Sequence, residues 1–207
     1  MVSSNKVRIM NSIYLKGVVR NIKYSHTIDN TVFNKADLIV KRADGREDLI
    51  VLKFKEFSFN GKEDKEIELL GNIRSFSQQI DGKNKVEIYV FSYFDILEDT
   101  FEQANIAKLE GKICKKDTLR KTHNGKHYIH YIVANNIITE DGQKLNSYIP
   151  CVAWGKLAKE IDDSYAVGED VHIEGQLQSR EYKKKLPNEG IEIRIAHELA
   201  TGEIHKL

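Results

Sequence analysis

The sequence is poor in cysteine, proline and tryptophan. It contains only two cysteines, two prolines and one tryptophan among 207 residues. Cys114 and Cys151 have neither a paired nor a metal-ligand spacing, so neither a disulfide framework nor a zinc site is expected. Both lie beside apolar residues, which predicts buried thiols in a reducing cytoplasm.

Long hydrophobic runs are missing as well. No apolar stretch approaches the roughly 20 residues that a membrane helix needs, and the first six residues contain no apolar signal region. We therefore expect a protein of the cytoplasm that has no membrane partner.

Motifs of catalysis are not found in the sequence. It contains no glycine-rich phosphate loop, no nucleophile elbow and no pair of catalytic carboxylates. His123, His127 and His130 are close together, but no cysteine or acidic residue completes a zinc pattern. We expect no enzyme, no cofactor, no metal and no small-molecule substrate.

The charge is balanced overall but uneven along the chain. The net charge is only +1, although residues 112–127 carry six Lys or Arg against one Asp and residues 180–185 carry four against one Glu. Such local clusters can attract an anionic partner even when the net charge is small.

The same unit occurs twice. Three segments recur in the same order: residues 11–19 match 105–113, 69–75 match 173–179, and 86–90 match 191–195. Internal repeats of this kind indicate duplicated structural units. We place the boundary between residues 95 and 103, which gives an N-terminal unit at 1–99 and a C-terminal unit at 100–207, joined by a short and stiff segment.

Each unit has the pattern of β-strands. Apolar residues alternate from Val7 to Val19, which is the period of a half-buried strand. Gly17 and Gly111 lie inside predicted strands, where glycine indicates a bend or a bulge. Tight turns are predicted at four Asp-Gly or Asn-Gly pairs: residues 44–45, 81–82, 124–125 and 141–142.

Only residues 155–163 have a helical pattern, with Leu157, Ala158 and Ile161 on one side. The C-terminal unit therefore has three strands, a helix and a two-strand hairpin, the order of an OB-fold. The segment from Phe54 to Leu69 is shorter than its counterpart, so we expect its helix to be reduced or missing. The predicted fold class is all-β with one short helix, in two tandem OB-folds that are five-stranded Greek-key barrels.

Aromatic and basic residues are interleaved in the C-terminal unit. Tyr148 and Trp154 are six residues apart and so share one face of a strand, with apolar residues for the core on the other face. Outward rings can stack on unpaired bases while Lys and Arg contact phosphates. Two alternatives stay open, since a tryptophan is often a core residue and Pro150 can cause a bulge that breaks the alternation.

Two motifs resemble the bacterial single-stranded DNA-binding proteins. They are Tyr148-x5-Trp154-Gly-Lys-Leu-Ala and, one strand later, Ile173-Glu-Gly-Gln-Leu-x-x-Arg180-x-Tyr182. The resemblance is clear over residues 105–199 and faint over 11–94. It implies that Tyr148 and Trp154 stack on DNA bases and that Arg180 and Tyr182 also contact DNA. Ile137 and Ile138 stand where the family usually has an aromatic or polar residue, which indicates that one stacking ring is missing.

The predicted DNA-binding residues fall into two groups. In the C-terminal unit they are Tyr148, Trp154, Lys156, Arg180, Tyr182, Lys183, Arg120 and Lys121. In the N-terminal unit we select Phe54 as the counterpart of Trp154 and Phe76, with Arg74, near the position of Arg180. Tyr24, Phe57 and Phe59 are further rings of that unit, for which a core role is equally compatible with the sequence.

These features predict binding of single-stranded DNA with little sequence preference, in replication, repair, recombination or plasmid and phage DNA metabolism. The resemblance also implies a bacterial protein associated with the nucleoid. It implies four barrels as well, hence a homodimer, joined through an exposed strand edge. Bacterial members have an acidic tail that recruits other enzymes, and the sequence ends at Leu207 without one. The alternatives are an OB-fold accessory protein of the primosome type, which binds mainly protein partners, and a binder of single-stranded RNA.

Overall fold

The chain folds into two β-barrels whose strands form one continuous sheet. In the computed structural model, the residues described are 10–56, 59, 61–80, 83–96, 103–138, 144–185 and 190–207. The strand order is β2-β3-β5-β4-β1-β6-β10-β11-β9-β8-β7, and additional β1–β2 and β6–β8 pairings close a barrel on each side. The predicted all-β class with two tandem OB-folds is confirmed.

The first barrel contains five strands. They are β1 (Asn11–Ile28), β2 (Thr31–Lys41), β3 (Glu47–Lys55), β4 (Glu66–Ile80) and β5 (Lys83–Ile96). All pairs are antiparallel except β3–β5, which is parallel. The described residues between β3 and β4 form turns, and no helix is found among them.

The second barrel repeats this topology and adds a helix. Its elements are β6 (Asn105–Lys116), β7 (Arg120–Lys121), β8 (His127–Ile138), β9 (Lys144–Trp154), α1 (Gly155–Ser164), β10 (Asp170–Lys185) and β11 (Ile191–Lys206). The predicted order of three strands, helix and hairpin is correct, and β7 is a two-residue extension that pairs with β8. The helix buries Ala158 and Ile161 against the barrel, as its apolar spacing predicts.

The glycines predicted inside strands mark close approaches between strands. A Cβ at Gly17 would collide with the carbonyl oxygen of Ile39, and one at Gly111 with that of Ala134. Only glycine allows the strands to come this near. Of the four predicted turns, Gly45 and Gly125 have the expected positive φ of 84° and 76°, while 81–82 and 141–142 lie outside the described residues.

The first strands of the two barrels pair with each other. β1 and β6 are antiparallel, with Asn11 opposite Leu109 and Leu15 opposite Asn105. These two edges therefore pair within the chain, and edge pairing between chains stays a prediction. The predicted unit boundary falls between β5 and β6, where residues 97–102 lie outside the described residues.

The two cysteines differ in their surroundings. Cys151 is fully buried in β9, and this burial raises the pKa of its thiol far above the ordinary value. Cys114 is exposed, so the prediction that both thiols are buried was wrong for Cys114. Cys114 has the outward position in the alternation of β6, next to the buried Ile113, and the β6–β8 ladder shifts register between Ile113 and Lys115.

The described residues form neither a membrane-spanning helix nor a metal cluster. No helix there is both long and apolar enough to cross a membrane. Within the same residues, no three side chains of His, Cys, Asp or Glu come together as a metal site would require.

Candidate nucleic-acid interface

Trp154 is presented outward at the end of β9. Its side chain is 39% exposed, while Ile149, Cys151 and Ala153 on the other face of the strand are fully buried. The β8–β9 ladder keeps its register through Pro150, so no bulge disturbs the alternation. Tyr148 shares the face of Trp154 and is 53% exposed. Both rings are therefore placed as the sequence predicts.

Trp154 forms a cluster with two neighbours, which we call the Trp154 cluster. The ring of Tyr128, directly opposite on β8, lies 5.3 Å from that of Trp154 with an interplanar angle of 35°. Lys126 Nζ lies 5.2 Å from the Trp154 ring. An exposed ring beside a second ring and a cation can accept a base and its phosphate together. Sequence reasoning missed Tyr128, although it alternates with the buried Ile129 and Tyr131.

Further cations surround this cluster. Arg120 and Lys121 pair with Tyr128 and His127 across the β7–β8 ladder, and both are exposed. Lys156 is exposed in the first turn of α1. The pKa of His127 is lowered by desolvation and by the positive charges of Lys159 and Lys121. Lys159 and Lys121 therefore act on His127 at this edge of the barrel, in addition to the larger effect of desolvation.

The basic segment 112–127 divides between two roles. Lys112 pairs with Asp170, and Lys115 with Asp117. Lys116 Nζ donates to the carbonyl oxygens of Ile161, Asp162 and Tyr165 at the carboxyl end of α1, at 3.2, 2.9 and 2.6 Å. A cation there is favoured by the negative end of the helix dipole, and it adds to the bond that the Ile161 carbonyl oxygen accepts from the Tyr165 N–H. Only the later part of the segment, from Arg120 to Lys126, lies at the Trp154 cluster.

The hairpin of β10 and β11 carries the remaining predicted residues of the C-terminal unit. We call its outer part, residues 180–185 with 191–196, the arm. Tyr182 is 38% exposed, and the guanidinium carbon of Arg180 lies 5.9 Å from its ring. Arg180 also contacts Glu198 at 3.3 Å, and Lys183 is exposed. The arm therefore combines a ring and cations with the carboxylates of Glu181 and Glu192, and Glu198 lies at its base.

Phe54 is not a binding residue, and this prediction was wrong. Its side chain is fully buried and packs edge-on against Phe59, with ring centroids 4.5 Å apart. Leu52 pairs in parallel with Val90 in the first barrel, as Cys151 does with Leu199 in the second, so Leu52 and Cys151 occupy equivalent positions. Two and three residues further on, Phe54 therefore corresponds to Ala153 and Lys55 to Trp154. The sequence alignment was shifted by one residue, and such a shift moves a side chain to the opposite face of a strand.

Phe76 is exposed on the first barrel, as predicted. Its side chain is 51% exposed, and Lys53 Nζ lies 5.6 Å from its ring and 4.1 Å from that of Tyr89. Lys53 also pairs with Glu87 at 2.6 Å. A second group lies nearby on the same outer face, where the Arg74 guanidinium carbon is 4.5 Å from the ring of Phe91.

The rings continue toward β2 in this barrel. Phe91 lies 6.1 Å from Phe33, and Phe33 stacks on His26 at 5.0 Å. Phe33 occupies the position of Tyr128 in the second barrel, because it pairs with Lys55 as Tyr128 pairs with Trp154. Tyr24 is exposed, Phe59 is buried, and Phe57 lies outside the described residues. We call the outward groups of Phe76, Lys53, Tyr89, Arg74, Phe91 and Phe33 the first-barrel face.

Two solved structures are similar to the whole chain in fold. A crystal structure of the wild-type single-stranded DNA binding protein from Thermus aquaticus matches with a TM-score of 0.71 and 16% identity, over 97% of this chain and 94% of that one. A deletion mutant of the same protein matches with a TM-score of 0.71 and 17% identity, over 97% and 95%. At these identities the likeness shows the fold, which here spans both barrels.

Sequence comparison locates a family in the second half of the chain. A single-stranded DNA-binding protein from Fusobacterium nucleatum is 26% identical over 103 residues, which cover 48% of this chain and 67% of that protein. Residues 104–200 match the model of the single-strand binding protein family. They span β6 to most of β11, including the Trp154 cluster and the arm. The second barrel therefore belongs to the single-strand binding protein family.

Proposed function

We propose that the chain binds single-stranded DNA with little sequence preference and is a binding protein, not an enzyme. The observation that carries the proposal is the Trp154 cluster: an exposed tryptophan with a second ring and a lysine, on the barrel that belongs to the family. Every base has a π-face, so stacking on such rings tolerates any sequence. Arg120, Lys121, Lys156 and the arm would neutralise phosphates on either side.

The DNA strand would follow β9 toward the first barrel. Trp154 and Tyr148 lie six residues apart, or about 20 Å at roughly 3.3 Å per residue. The backbone N–H of Tyr148 donates to Ser75 Oγ of β4 at 2.8 Å, and Phe76 is the next residue. We therefore propose that the first-barrel face, including Phe76 and Arg74, continues the site. The two halves, 1–99 and 100–207, would then bind one strand together.

Equilibrium binding of labelled oligo-dT of about 30 nucleotides, followed by fluorescence anisotropy, tests this function. We expect tight binding that weakens with salt, no comparable binding of duplex DNA, and weaker competition by oligo-U than by unlabelled oligo-dT. Equal or better competition by oligo-U would favour RNA as the target. Absence of oligo-dT binding at low salt would overturn the proposal.

We further propose that two chains associate, so that four barrels act together in the cytoplasm of a bacterium during replication, repair or recombination. The support is the resemblance of the sequence to a family that commonly assembles four barrels. Light scattering at several protein concentrations measures the mass directly. A mass of one chain throughout would contradict the homodimer.

An accessory protein with a protein partner is the second candidate, and one feature of the arm favours it. Ile191, Ile193 and Ile195 are all exposed and lie on one face of β11. Exposed apolar groups of this kind often mark protein contacts. The oligo-dT titration separates the candidates, since a mainly protein-binding role predicts weak DNA affinity.

A further inference from the structure

Two serines at equivalent positions form hydrogen bonds that cross between the barrels. Ser75 Oγ of β4 accepts from the backbone N–H of Tyr148 in β9, at 2.8 Å. Ser179 Oγ of β10 accepts from the backbone N–H of Leu49 in β3, at 2.9 Å. Ser75 and Ser179 each lie four residues after the glycine at which their ladder shifts register. Each barrel therefore holds a strand of the other.

The Ser179 side of this arrangement has an additional buried ion pair. Arg42 Nε and Nη2 donate to the two carboxylate oxygens of Asp48 at 2.7 and 2.5 Å, and Asp48 is only 1% exposed. Asp48 Oδ1 accepts from the Ser179 N–H at 2.6 Å, and Arg42 Nη2 donates to the Ser179 carbonyl oxygen at 3.1 Å. Both backbone groups of Ser179 are thus bound by the first barrel.

Among its described residues, the second barrel has no such ion pair at the corresponding place. Asp48 pairs with Val40 as Ser147 pairs with Asn135, so Ser147 occupies the position of Asp48. Val40 likewise corresponds to Asn135, so Ile137, two residues after Asn135, occupies the position of Arg42. The hydrogen bonds of the two serines are symmetric between the barrels, whereas the charged pair is present on one side only.

The asymmetry coincides with the start of the arm. Ser179 directly precedes Arg180, and Tyr182 follows three residues later. His197, opposite Ser179 on β11, adds a contact to the first barrel through Nε2 and the Leu49 carbonyl oxygen at 2.7 Å. A buried ion pair gives little net stability compared with apolar residues of similar volume, but its directed hydrogen bonds fix one geometry. Arg42 and Asp48 therefore fix the point from which the arm extends.

We propose that Arg42 and Asp48 of the first barrel are positioning residues for the arm of the second barrel. The nucleic-acid site of the family-matched half is then complete only when the first barrel holds Ser179. This inference rests on the proposed binding of single-stranded DNA, and it assigns neither Arg42 nor Asp48 any contact with the ligand.

A double-mutant cycle with labelled oligo-dT tests the proposal. In the wild-type background, Arg180→Ala should weaken binding by about fivefold to tenfold, through the lost phosphate contact and its neighbouring ring. The R42M/D48L variant removes both charges together, and we expect it to weaken oligo-dT binding by a similar factor. Adding Arg180→Ala to this variant should weaken binding by less than about a further twofold. Lys121→Gln should weaken binding equally in both backgrounds. An undiminished effect of Arg180→Ala in the R42M/D48L chain would overturn the proposal.

Three further variants keep the test decisive. R42Q/D48N retains a side-chain oxygen for the Ser179 N–H. In this background, Arg180→Ala should again weaken oligo-dT binding by most of the factor found in the wild-type chain. R42I/D48A also removes both charges and every side-chain oxygen at position 48, so it replaces R42M/D48L if that variant does not fold. Ser75→Ala, on the opposite side, should leave the Arg180→Ala effect unchanged.

Hydrogen exchange separates failure of this inference from failure of the proposed function. If wild-type protein does not bind oligo-dT, the proposed function is wrong, and exchange of the amides of residues 179–182 still tests the positioning. We expect R42M/D48L to accelerate their exchange while that of Ile113 in the barrel core is unchanged. Unchanged exchange at residues 179–182 would overturn the positioning role.

Discussion

Asn11 and Asn105 make the same two hydrogen bonds at equivalent points of the two barrels. Asn11 Nδ2 donates to the Ile73 carbonyl oxygen and its Oδ1 accepts from the Ile73 N–H, both at 2.8 Å. Asn105 does the same with Leu177, at 2.7 and 3.1 Å. Ile73 and Leu177 each follow by two residues the glycine where a ladder shifts register. The amide side chains thus satisfy backbone groups next to each bulge.

Replacing either asparagine should lower the free energy of unfolding. Asn105→Ala leaves a buried N–H and carbonyl without this partner, at a cost of about 1–3 kcal/mol. Asn11→Ala should cost more, because Asn11 Nδ2 also donates to Asn135 of the second barrel at 2.8 Å. Urea denaturation measures both, with exposed Asn136→Ala as the control. Equal stability of Asn11→Ala and Asn136→Ala would contradict this role.

Trp154→Ala should weaken binding of oligo-dT by about 1–3 kcal/mol, the range for loss of one stacked base. Tyr128→Ala should also weaken it, since its ring supports that of Trp154 at 5.3 Å. Trp154→Phe should retain most of the affinity. Val167→Ala, at an exposed position in the turn after α1, serves as the control, and an effect of that variant as large as that of Trp154→Ala would count against a specific site.

The salt dependence should distinguish lysines within the same basic segment. Lys121→Gln and Lys126→Gln should each reduce the slope of log K against log salt by about 0.7, the value for one phosphate contact with a single strand. Lys112→Gln should leave the slope unchanged, because Lys112 pairs with Asp170 away from the Trp154 cluster. A common reduction for all three variants would show that only overall charge matters.

Alanine variants of Phe54 and Phe76 should separate a loss of stability from a loss of DNA binding. Phe54→Ala creates a cavity in the first barrel and should cost about 3–5 kcal/mol of unfolding free energy. Phe76→Ala removes an exposed ring and should weaken oligo-dT binding with little loss of stability. Chemical denaturation and anisotropy on both variants check this. Unimpaired DNA binding by Phe76→Ala would remove the first-barrel face from the proposed site.

His197 should make stability depend on pH. Burial lowers its pKa in the folded chain, against the opposing effects of the Leu49 carbonyl and the carboxylates of Asp48, Glu87 and Asp37. The unfolded chain then binds a proton at higher pH than the folded one. The free energy of unfolding should fall as the pH drops from about 6.5 through the lowered pKa, with a slope of at most about 1.4 kcal/mol per pH unit.

His197→Gln keeps a donor for the Leu49 carbonyl oxygen and should flatten this part of the pH profile. His205→Gln, at an exposed position, should not change it. Denaturation of the three proteins between pH 7.5 and pH 5 makes the comparison. An unaltered slope in His197→Gln would contradict the assignment.

The sequence predicts the features that depend on local periodicity. Even spacing places Tyr148 and Trp154 on one face, and the repeated glycines at 17 and 111 mark the duplicated barrel. Phe54 was misassigned because the segments that follow β3 and β9 differ in length, which hides the correct register. Only the ladder pairs Leu52–Val90 and Cys151–Leu199 reveal it.

Features that depend on distant contacts could not be predicted in this way. Tyr128 becomes part of the site only because β8 places it opposite Trp154. Lys116 has the sequence context of a phosphate ligand but binds the end of α1, and Asp48 binds Ser179 at a separation of 131 residues. No periodicity within a strand encodes such contacts.

Emission from Trp154 tests the central claim most directly, because it is the only tryptophan in the chain. Titration with oligo-dT should quench this emission to saturation as bases stack on the ring, and added salt should shift the midpoint to higher DNA concentration. Emission that stays constant while anisotropy reports bound DNA would show that the strand lies elsewhere and would contradict the site proposed for the second barrel.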